Sequence, residues 1–170
     1  MSPVVRFSLL GLVALVLLAG GIQLALPKAK LPARAFAMLD DASLVVVAEP
    51  GDGFYGLEIS PKSRWSWSGG EAVVVLRRVG RDTAPRTLRL RMLVHSIAPR
   101  VVTIRHGDFI LWRGPVEARR TPVEIPLFTL TGPKAELVFS SDRPGELRAD
   151  GADPRPLAFA LYDLEITRAD

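Results

Sequence analysis

The sequence predicts an all-β fold, an antiparallel two-sheet sandwich of the jelly-roll type, preceded by one N-terminal transmembrane helix. Residues 43–170 contain short apolar runs separated by turn signals roughly every eight to twelve residues, and none of their windows sustains a helical period. Such a series of strands without helices is typical of a sandwich. The chain contains no cysteine, so it lacks the Cys–Trp–Cys pattern of immunoglobulin domains, and the jelly-roll type is favoured.

The transmembrane prediction rests on residues 7–26, FSLLGLVALVLLAGGIQLAL, which follow a short head at residues 1–6 and carry no charge. A helix of about 20 residues spans about 30 Å, the thickness of the hydrocarbon layer of a bilayer. A cleaved signal peptide is the other interpretation, but its apolar part is usually only about 7–15 residues long. We therefore expect an uncleaved anchor that holds the protein to the lipid bilayer.

Two arguments about the orientation of this anchor disagree. Lys28, Lys30 and Arg34 follow the span and outnumber Arg6 before it, which favours a cytoplasmic domain. An N-terminal anchor with a very short head, however, commonly behaves as an uncleaved export signal. We expect a single-pass protein of the bacterial inner membrane whose β-domain lies in the periplasm.

Small and polar residues within the span could pack against neighbouring membrane helices. The candidates are Gly20, Gly21, Gln23 and Ala25. Gly21 and Ala25 form a step of small residues that lets another helix approach closely, and Gln23 would favour an interhelical hydrogen bond. Alternatively, these residues have no partner helix, because glycine is common in membrane helices and Gln23 lies near the interface.

After a linker at residues 27–42, whose prolines discourage a continuous helix, the strands follow in order. The predicted strands cover residues 43–48, 71–79, 86–94, 101–106, 108–114, 122–128, 135–140 and 156–166. Within 86–94, Leu88, Leu90, Met92 and Val94 alternate with other residues and predict one face of the strand. The sequence His106-Gly107-Asp108 predicts a tight hairpin.

Composition and motifs exclude several classes of function. The net charge is +4, but three of the 22 basic residues precede residue 31 and all 18 acidic residues follow it. The rest of the chain is therefore nearly neutral, unlike a general nucleic-acid-binding protein. The absence of cysteine excludes thiol catalysis and Cys-based zinc sites.

Catalytic motifs are also missing from the sequence. The two histidines, His95 and His106, form no H-E-x-x-H motif, and no nucleophile elbow or phosphate-binding loop occurs. We expect no catalytic residues, no metal and no cofactor. Four carboxylates could in principle hold calcium but are better explained as solvated turn residues: Asp40, Asp41, Asp52 and Glu58.

The stretch RWSWSGGEA at residues 64–72 has two interpretations. Trp65 and Trp67 are two residues apart and share one face of a strand, together with Val73 if the register is unbroken. That face would most simply be the core. A bend at Gly69-Gly70 could instead expose an aromatic shelf on which a sugar stacks, with Trp65 the more exposed and Trp67 the more buried of the pair.

A run of arginines follows the tryptophans. Arg77, Arg78, Arg81, Arg86, Arg89 and Arg91 are opposed only by Asp82 over 15 residues. They predict a patch for an anionic partner, either lipid phosphates or an acidic protein subunit. Alternatively, they form a solvated outer sheet face, where arginine prevents pairing of exposed strands.

Five short pieces occur in an order that resembles a known family. The pieces are GFYGLE (53–58), RWSWSGGEA (64–72), LRLRMLV (88–94), ADPRPLAFAL (152–161) and YDLEI (162–166). Together they resemble the jelly-roll, carbohydrate-binding-module-like domain at the ends of bacterial polytopic membrane glycosyltransferase-type proteins. The resemblance implies that the matching positions are Phe54, Tyr55, Glu58, Trp67, Asp153, Arg155 and Leu157. Because the polytopic catalytic part has no counterpart in this sequence, the resemblance implies no enzyme activity.

Two hypotheses of function follow from these observations. In the first, the protein is a non-catalytic accessory subunit of a larger membrane assembly, and its partners are integral membrane proteins. In the second, it is a membrane-tethered glycan-binding module for cell-envelope polysaccharide or glycolipid, with Tyr55, Glu58 and Trp65 as candidate contacts to a glycan or partner. The small residues of the span lead us to predict the first, whereas the tryptophan pair favours the second.

Overall fold

The computed structural model describes residues 30–41, 43–80 and 84–169. These residues form eleven β-strands and no helix that could span a membrane. The predicted anchor at 7–26, with Gly20, Gly21, Gln23 and Ala25, lies outside the described residues, as does Arg81.

The strands occupy most of the described chain. They are β1 (Ala37–Asp41), β2 (Leu44–Pro50), β3 (Glu58–Ile59), β4 (Arg64–Ser68), β5 (Glu71–Val79), β6 (Arg86–Ser96), β7 (Arg100–His106), β8 (Phe109–Val116), β9 (Thr121–Leu130), β10 (Lys134–Ser141) and β11 (Phe159–Arg168). At the predicted hairpin, His106 pairs with Phe109, and Gly107 adopts the positive φ of 54° that a two-residue turn requires.

The strands form two antiparallel sheets packed face to face, so the predicted all-β sandwich is confirmed. The six-stranded sheet has the order β1-β2-β5-β10-β7-β8, and the five-stranded sheet has the order β3-β4-β11-β6-β9. From β4 onward successive strands alternate between the two sheets, except that β7 and β8 form a hairpin within the six-stranded sheet. The chain passes from the five-stranded to the six-stranded sheet at Gly69-Gly70, between β4 and β5.

The core lies between the sheets and is built from alternate residues of each strand. Leu88, Leu90, Met92 and Val94 of β6 all point inward and are at most 3% exposed, as their alternation predicts. Phe159 of β11 is fully buried, and its ring contacts those of Phe54 and Phe139. These contacts join both sheets in one apolar cluster.

The sandwich begins earlier in the chain than residue 43. Strand β1 lies within the segment predicted as a linker, and Phe36 just before it is 3% exposed. The Phe36 backbone N–H donates to the Ala48 carbonyl at 2.8 Å, and its ring packs against Phe54 at 5.4 Å. The linker at 27–42 therefore ends before residue 36. The residues AMLDD show no alternation of apolar and polar side chains, so β1 could not be recognised from its own sequence. Its pairing with β2 is what makes this segment a strand.

Candidate functional site

The two tryptophans lie on the outer face of the five-stranded sheet. Between and after them on β4, Ser66 and Ser68 point inward and are fully buried, and their hydroxyls donate to the carbonyls of Gly56 and Glu71. The chain changes sheets at Gly69-Gly70, so Val73 lies on the outer face of the six-stranded sheet and shares no face with the tryptophans. Both tryptophans lie outside the space between the sheets, so the interpretation that places the pair in the core is wrong.

Neighbouring strands bring further aromatic side chains to Trp65 and Trp67. Trp65 pairs with Tyr162 of β11, and the two rings stack at 5.6 Å with an interplanar angle of 11°. Trp67 pairs with Ala160, which in turn pairs with His95 of β6. Because the Ala160 side chain is small, the Trp67 and His95 rings meet above it at 5.5 Å.

We call Trp65, Trp67, His95 and Tyr162 the aromatic face. Trp67 is only 9% exposed, because it packs in a small cluster with Leu157 that is separate from the core. The other three side chains are half-buried. The aromatic face is thus a partly exposed surface, with Trp65 more accessible than Trp67, as the sequence predicts.

A cleft of about 540 Å³ opens beside the aromatic face. Its floor includes Trp67 and His95, and its wall is the segment Glu146–Asp150 of the loop between β10 and β11. Buried Arg100 holds this loop, because its guanidinium donates to the carbonyls of Arg143 and Pro144 at 3.3 and 3.2 Å. The wall is therefore anchored to the sandwich by a side chain that is itself fixed.

A second concavity, of about 570 Å³, lies on the same sheet face and is lined by Leu93, Pro122 and Asp163. Leu93 and His95 are successive outward positions of β6, so the two concavities adjoin each other, with Tyr162 beside Leu93. Tyr162 contacts His95 of the cleft and pairs with Leu93 of the second concavity, so its ring lies between the two. We call the two concavities together with this ring the depression. Concave surfaces with aromatic residues and a few polar groups are typical of ligand sites.

Arg120, in the turn before β9, lies across the aromatic face. Its guanidinium carbon is 4.4 Å from the centroid of the Tyr162 ring, a cation–π contact. Burial raises the pKa of the Tyr162 hydroxyl, whereas the positive charge of Arg120 opposes that rise. The aromatic ring at the centre of the depression is therefore covered by a cation.

Burial lowers the pKa of the His95 imidazole, and the charge of Arg120 lowers it further, against a hydrogen bond with the Arg119 backbone that raises it. Among the described residues, the buried Nδ1 atom of His95 has no hydrogen-bond partner. His95 therefore offers a neutral imidazole to the floor of the cleft near neutral pH.

Of the candidate contacts Tyr55, Glu58 and Trp65, the first two make structural contacts within the domain. Glu58 is the cross-strand neighbour of Trp65 and forms an ion pair with Arg155 at 3.2 Å. Tyr55 is 40% exposed, and its hydroxyl donates to the Pro156 carbonyl at 2.8 Å. Both side chains thus hold the loop that precedes β11.

Arg155 bonds within its own turn. Its guanidinium contacts the Asp153 carboxylate at 2.6 Å and lies 5.2 Å from the centroid of the Tyr55 ring. The hydrogen bonds from Arg155 lower the pKa of Asp153 to about 2. This position, one of those implied by the family resemblance, stabilises the loop.

The predicted arginine patch is not one surface, because β5 and β6 belong to different sheets. Arg77 points outward from the six-stranded sheet and pairs with Glu49, whereas Arg89 and Arg91 lie on the five-stranded sheet and pair with Glu124. Arg78 is 6% exposed and donates to the carbonyls of Ala84 and Leu130 at 2.8 and 2.9 Å. Arg86 begins β6 and is half-buried.

Two of the carboxylates considered for calcium form ion pairs. Asp41 pairs with Arg168 at 3.1 Å, and Glu58 pairs with Arg155. Asp52 lies in the loop after β2, apart along the chain from Asp41 at the end of β1. Across the described ranges, no group of three or more His, Asp or Glu side chains could hold a metal ion.

Sequence reasoning missed His95, Tyr162 and Arg120 as members of the site. Tyr162 lies in the YDLEI piece and His95 lies one step beyond the recognised alternation of β6, but only strand pairing places them beside the tryptophans. Arg120 comes from a turn with no motif. No local pattern connects these three positions.

Comparisons with known proteins give only distant likenesses. No protein-family model matches the chain, and no curated protein matches it. Similar solved structures include a family 6 carbohydrate-binding module from a Zobellia galactanivorans laminarinase, with 8% identity, 72% of this chain and 99% of that one covered, and a TM-score of 0.42.

Two further solved structures are carbohydrate-binding modules. A variant of a family 29 module shows 12% identity over 72% of this chain and 81% of its own, with a TM-score of 0.40. A family 4 module shows 9% identity over 68% and 76%, with a TM-score of 0.39. Likeness at this level does not define a ligand, so function is argued from the residues of the site.

Proposed function

We propose that the protein is a non-catalytic glycan-binding module, tethered by the predicted helix at 7–26 to the bacterial inner membrane with its β-domain in the periplasm. The observation that carries the proposal is the stack of Trp65 on Tyr162, outside the core and at the junction of two concavities. Binding surfaces typically carry large aromatic side chains that lie outside the core and within a depression.

The chemistry of the depression suits a sugar. The C–H face of a pyranose is apolar and packs on indole or phenol rings, whereas its hydroxyls require hydrogen-bond donors and acceptors. The aromatic face supplies the rings, and Glu146, Arg148 and Asp150 line the cleft with polar groups.

Titration of the purified full-length chain with cell-envelope oligosaccharides, followed by calorimetry, tests the proposal. The detergent must carry no sugar head group, since maltosides would compete. Trp65→Ala should weaken binding at least about tenfold, because truncating an aromatic side chain at the centre of an interface costs about 2 kcal/mol or more. A panel of neutral and acidic glycans that gives no heat would refute the proposal.

Phe109→Ala is the matched control for that experiment. Phe109 is also aromatic and is 76% exposed, but it lies at the edge of the six-stranded sheet. Its substitution should leave the glycan affinity unchanged. If Trp65→Ala and Phe109→Ala bind equally well, the aromatic face is not the site.

A second candidate function, an accessory subunit of a membrane assembly, is favoured by a different surface. Phe109, Ile110 and Leu127 are exposed by 76%, 59% and 66% on the edge strands β8 and β9. His106 links the two strands, because it pairs with Phe109 of β8 and its ring contacts Phe128 of β9 at 5.2 Å. Exposed apolar side chains at one edge are typical of a protein contact.

Mild-detergent extraction of the full-length protein from native membranes, with mass spectrometry of what accompanies it, tests this candidate. Integral membrane proteins should copurify at constant stoichiometry and be lost when Phe109 and Ile110 are both changed to Ser. Copurification that survives the double substitution would exclude this surface, and purification of the protein alone would exclude the candidate.

A further inference from the structure

The charges around the aromatic face are almost all neutralised by close partners. Arg148 lies 2.6 Å from the Asp150 carboxylate, and Arg119 lies 3.0 Å from the Glu117 carboxylate. On the other side of Tyr162, Arg91 lies 3.4 Å from Glu124. These pairs leave little net charge at their own positions in the depression.

The two remaining carboxylates of the cleft and its rim are also engaged. Glu146 pairs with buried Arg100 at 3.5 Å. Asp163 accepts hydrogen bonds from the Ser63 hydroxyl at 2.7 Å and the Arg64 backbone N–H at 3.1 Å, both at Oδ1. Glu146 is therefore engaged by a cation, whereas only Oδ1 of Asp163 is engaged in these hydrogen bonds and its Oδ2 lies 4.0 Å from Arg120.

Arg120 is the exception among the described cations of this surface. Its one carboxylate contact is Asp163 Oδ2 at 4.0 Å, longer than a hydrogen bond, and its side chain is 52% exposed. Stacking on Tyr162 at 4.4 Å holds the guanidinium in place above the ring. A guanidinium carries five N–H donors, so Arg120 presents unused donors at the centre of the depression.

We propose that this site prefers glycans that carry an anionic group, a carboxylate or a phosphate, and that Arg120 binds this group; the inference rests on the proposed glycan-binding function. A planar guanidinium donates two parallel hydrogen bonds to a carboxylate or phosphate, which a single hydroxyl cannot accept. Bound in this way, an acidic sugar leaves Arg120 on Tyr162 and packs its ring on the neighbouring Trp65.

A neutral sugar meets a less favourable surface. To stack on Tyr162 it must displace Arg120 and lose the cation–π contact, and it gains only neutral hydrogen bonds. Hydrogen bonds to charged groups contribute more to binding than neutral ones, so the preference for the acidic ligand should be about tenfold or more.

Matched ligand pairs test the preference on the full-length protein. The carboxylate pair is a galacturonic acid trisaccharide and its methyl ester, and the phosphate pair is pentamannosyl 6-phosphate and pentamannose. Arg120→Gln should abolish the preference for the acidic member of each pair. Arg119→Gln removes the same charge from the adjacent position, but Arg119 pairs with Glu117 and does not touch Tyr162, so this variant should keep the preference.

Each outcome decides between the inference and the proposed function. A preference for the acidic member of either pair, lost in Arg120→Gln and kept in Arg119→Gln, supports the inference and shows which anionic group is bound. Equal affinity for acidic and neutral members overturns it but leaves glycan binding intact. An equal loss in both variants overturns the assignment to Arg120 and indicates a general charge effect, whereas no binding of any ligand refutes both proposals.

Discussion

The two faces of the five-stranded sheet bury their side chains in different ways. On the inner face, Leu88, Leu90 and Phe159 are fully buried among residues of the opposite sheet. On the outer face, Trp65 and Tyr162 cover each other by stacking and stay partly exposed. A tryptophan or tyrosine is thus not by itself evidence of a core, because this sandwich fills its interior mainly with aliphatic side chains and phenylalanine.

The largest effect should come from the inner face. Phe159→Ala should reduce the free energy of unfolding by about 3–5 kcal/mol, because it leaves a cavity between rings that pack closely on both sides. Chemical denaturation followed by circular dichroism measures this. Leu147→Ala is the control, since Leu147 is 66% exposed and its loss should cost well under about 1 kcal/mol. Similar losses for the two variants would contradict the assignment of the core.

The same comparison applies to Arg78 and Arg77, adjacent residues on opposite faces of β5. Arg78→Met should destabilise the protein by about 2 kcal/mol, because it deprives two carbonyls of hydrogen bonds from a charged donor. Arg77→Met removes an exposed ion pair and should cost about 0–1 kcal/mol. Equal effects of the two substitutions on stability would favour a single exposed patch, as first predicted.

On the outer face, one substitution should have a small effect on stability and a large effect on glycan affinity. Trp65→Ala should lower the free energy of unfolding by about 1 kcal/mol, since a half-buried side chain leaves no enclosed cavity. The same variant should lose glycan affinity, as described above. A loss of stability as large as that of Phe159→Ala would instead make Trp65 a core residue in energetic terms.

The smallest effect concerns pH and His95. The pKa of His95 is lowered on folding, so between its folded value and the ordinary value of about 6.5 the unfolded chain binds more protons. Stability contributed by the neutral imidazole is complete above about pH 6.5 and is lost as the pH falls toward the folded pKa. The melting temperature should therefore decrease on acidification from pH 7.5 to 5.5.

His95→Gln is the control for this titration, because glutamine has no charge to gain over that range. The variant should show a smaller decrease in melting temperature than the unmodified protein. An identical pH dependence of the two proteins would indicate that other groups dominate. Asp153, whose pKa is lowered to about 2, loses its contribution only below about pH 4 and does not interfere.

Much of the fold could be predicted because strand patterns are local. The apolar alternation of β6 and the turn at Gly107 have the structures that their sequences predict. Strands β1 and β3 were not predicted because their five and two residues carry no clear alternation and depend on pairing with β2 and β4. The outer position of Trp65 was left open because alternation assigns residues to a common face without showing which face is covered.

Period-two alternation depends only on neighbouring residues, so the all-β class, the spacing of the strands and the shared face of Trp65 and Trp67 follow from local patterns. Tertiary structure decided which side of the sheet that face occupies and which side chains join it. His95, Arg120 and Tyr162 come from three separate segments of the chain and meet only through strand order and register. Sites assembled by pairing between distant segments follow from long-range contacts, which no local period encodes.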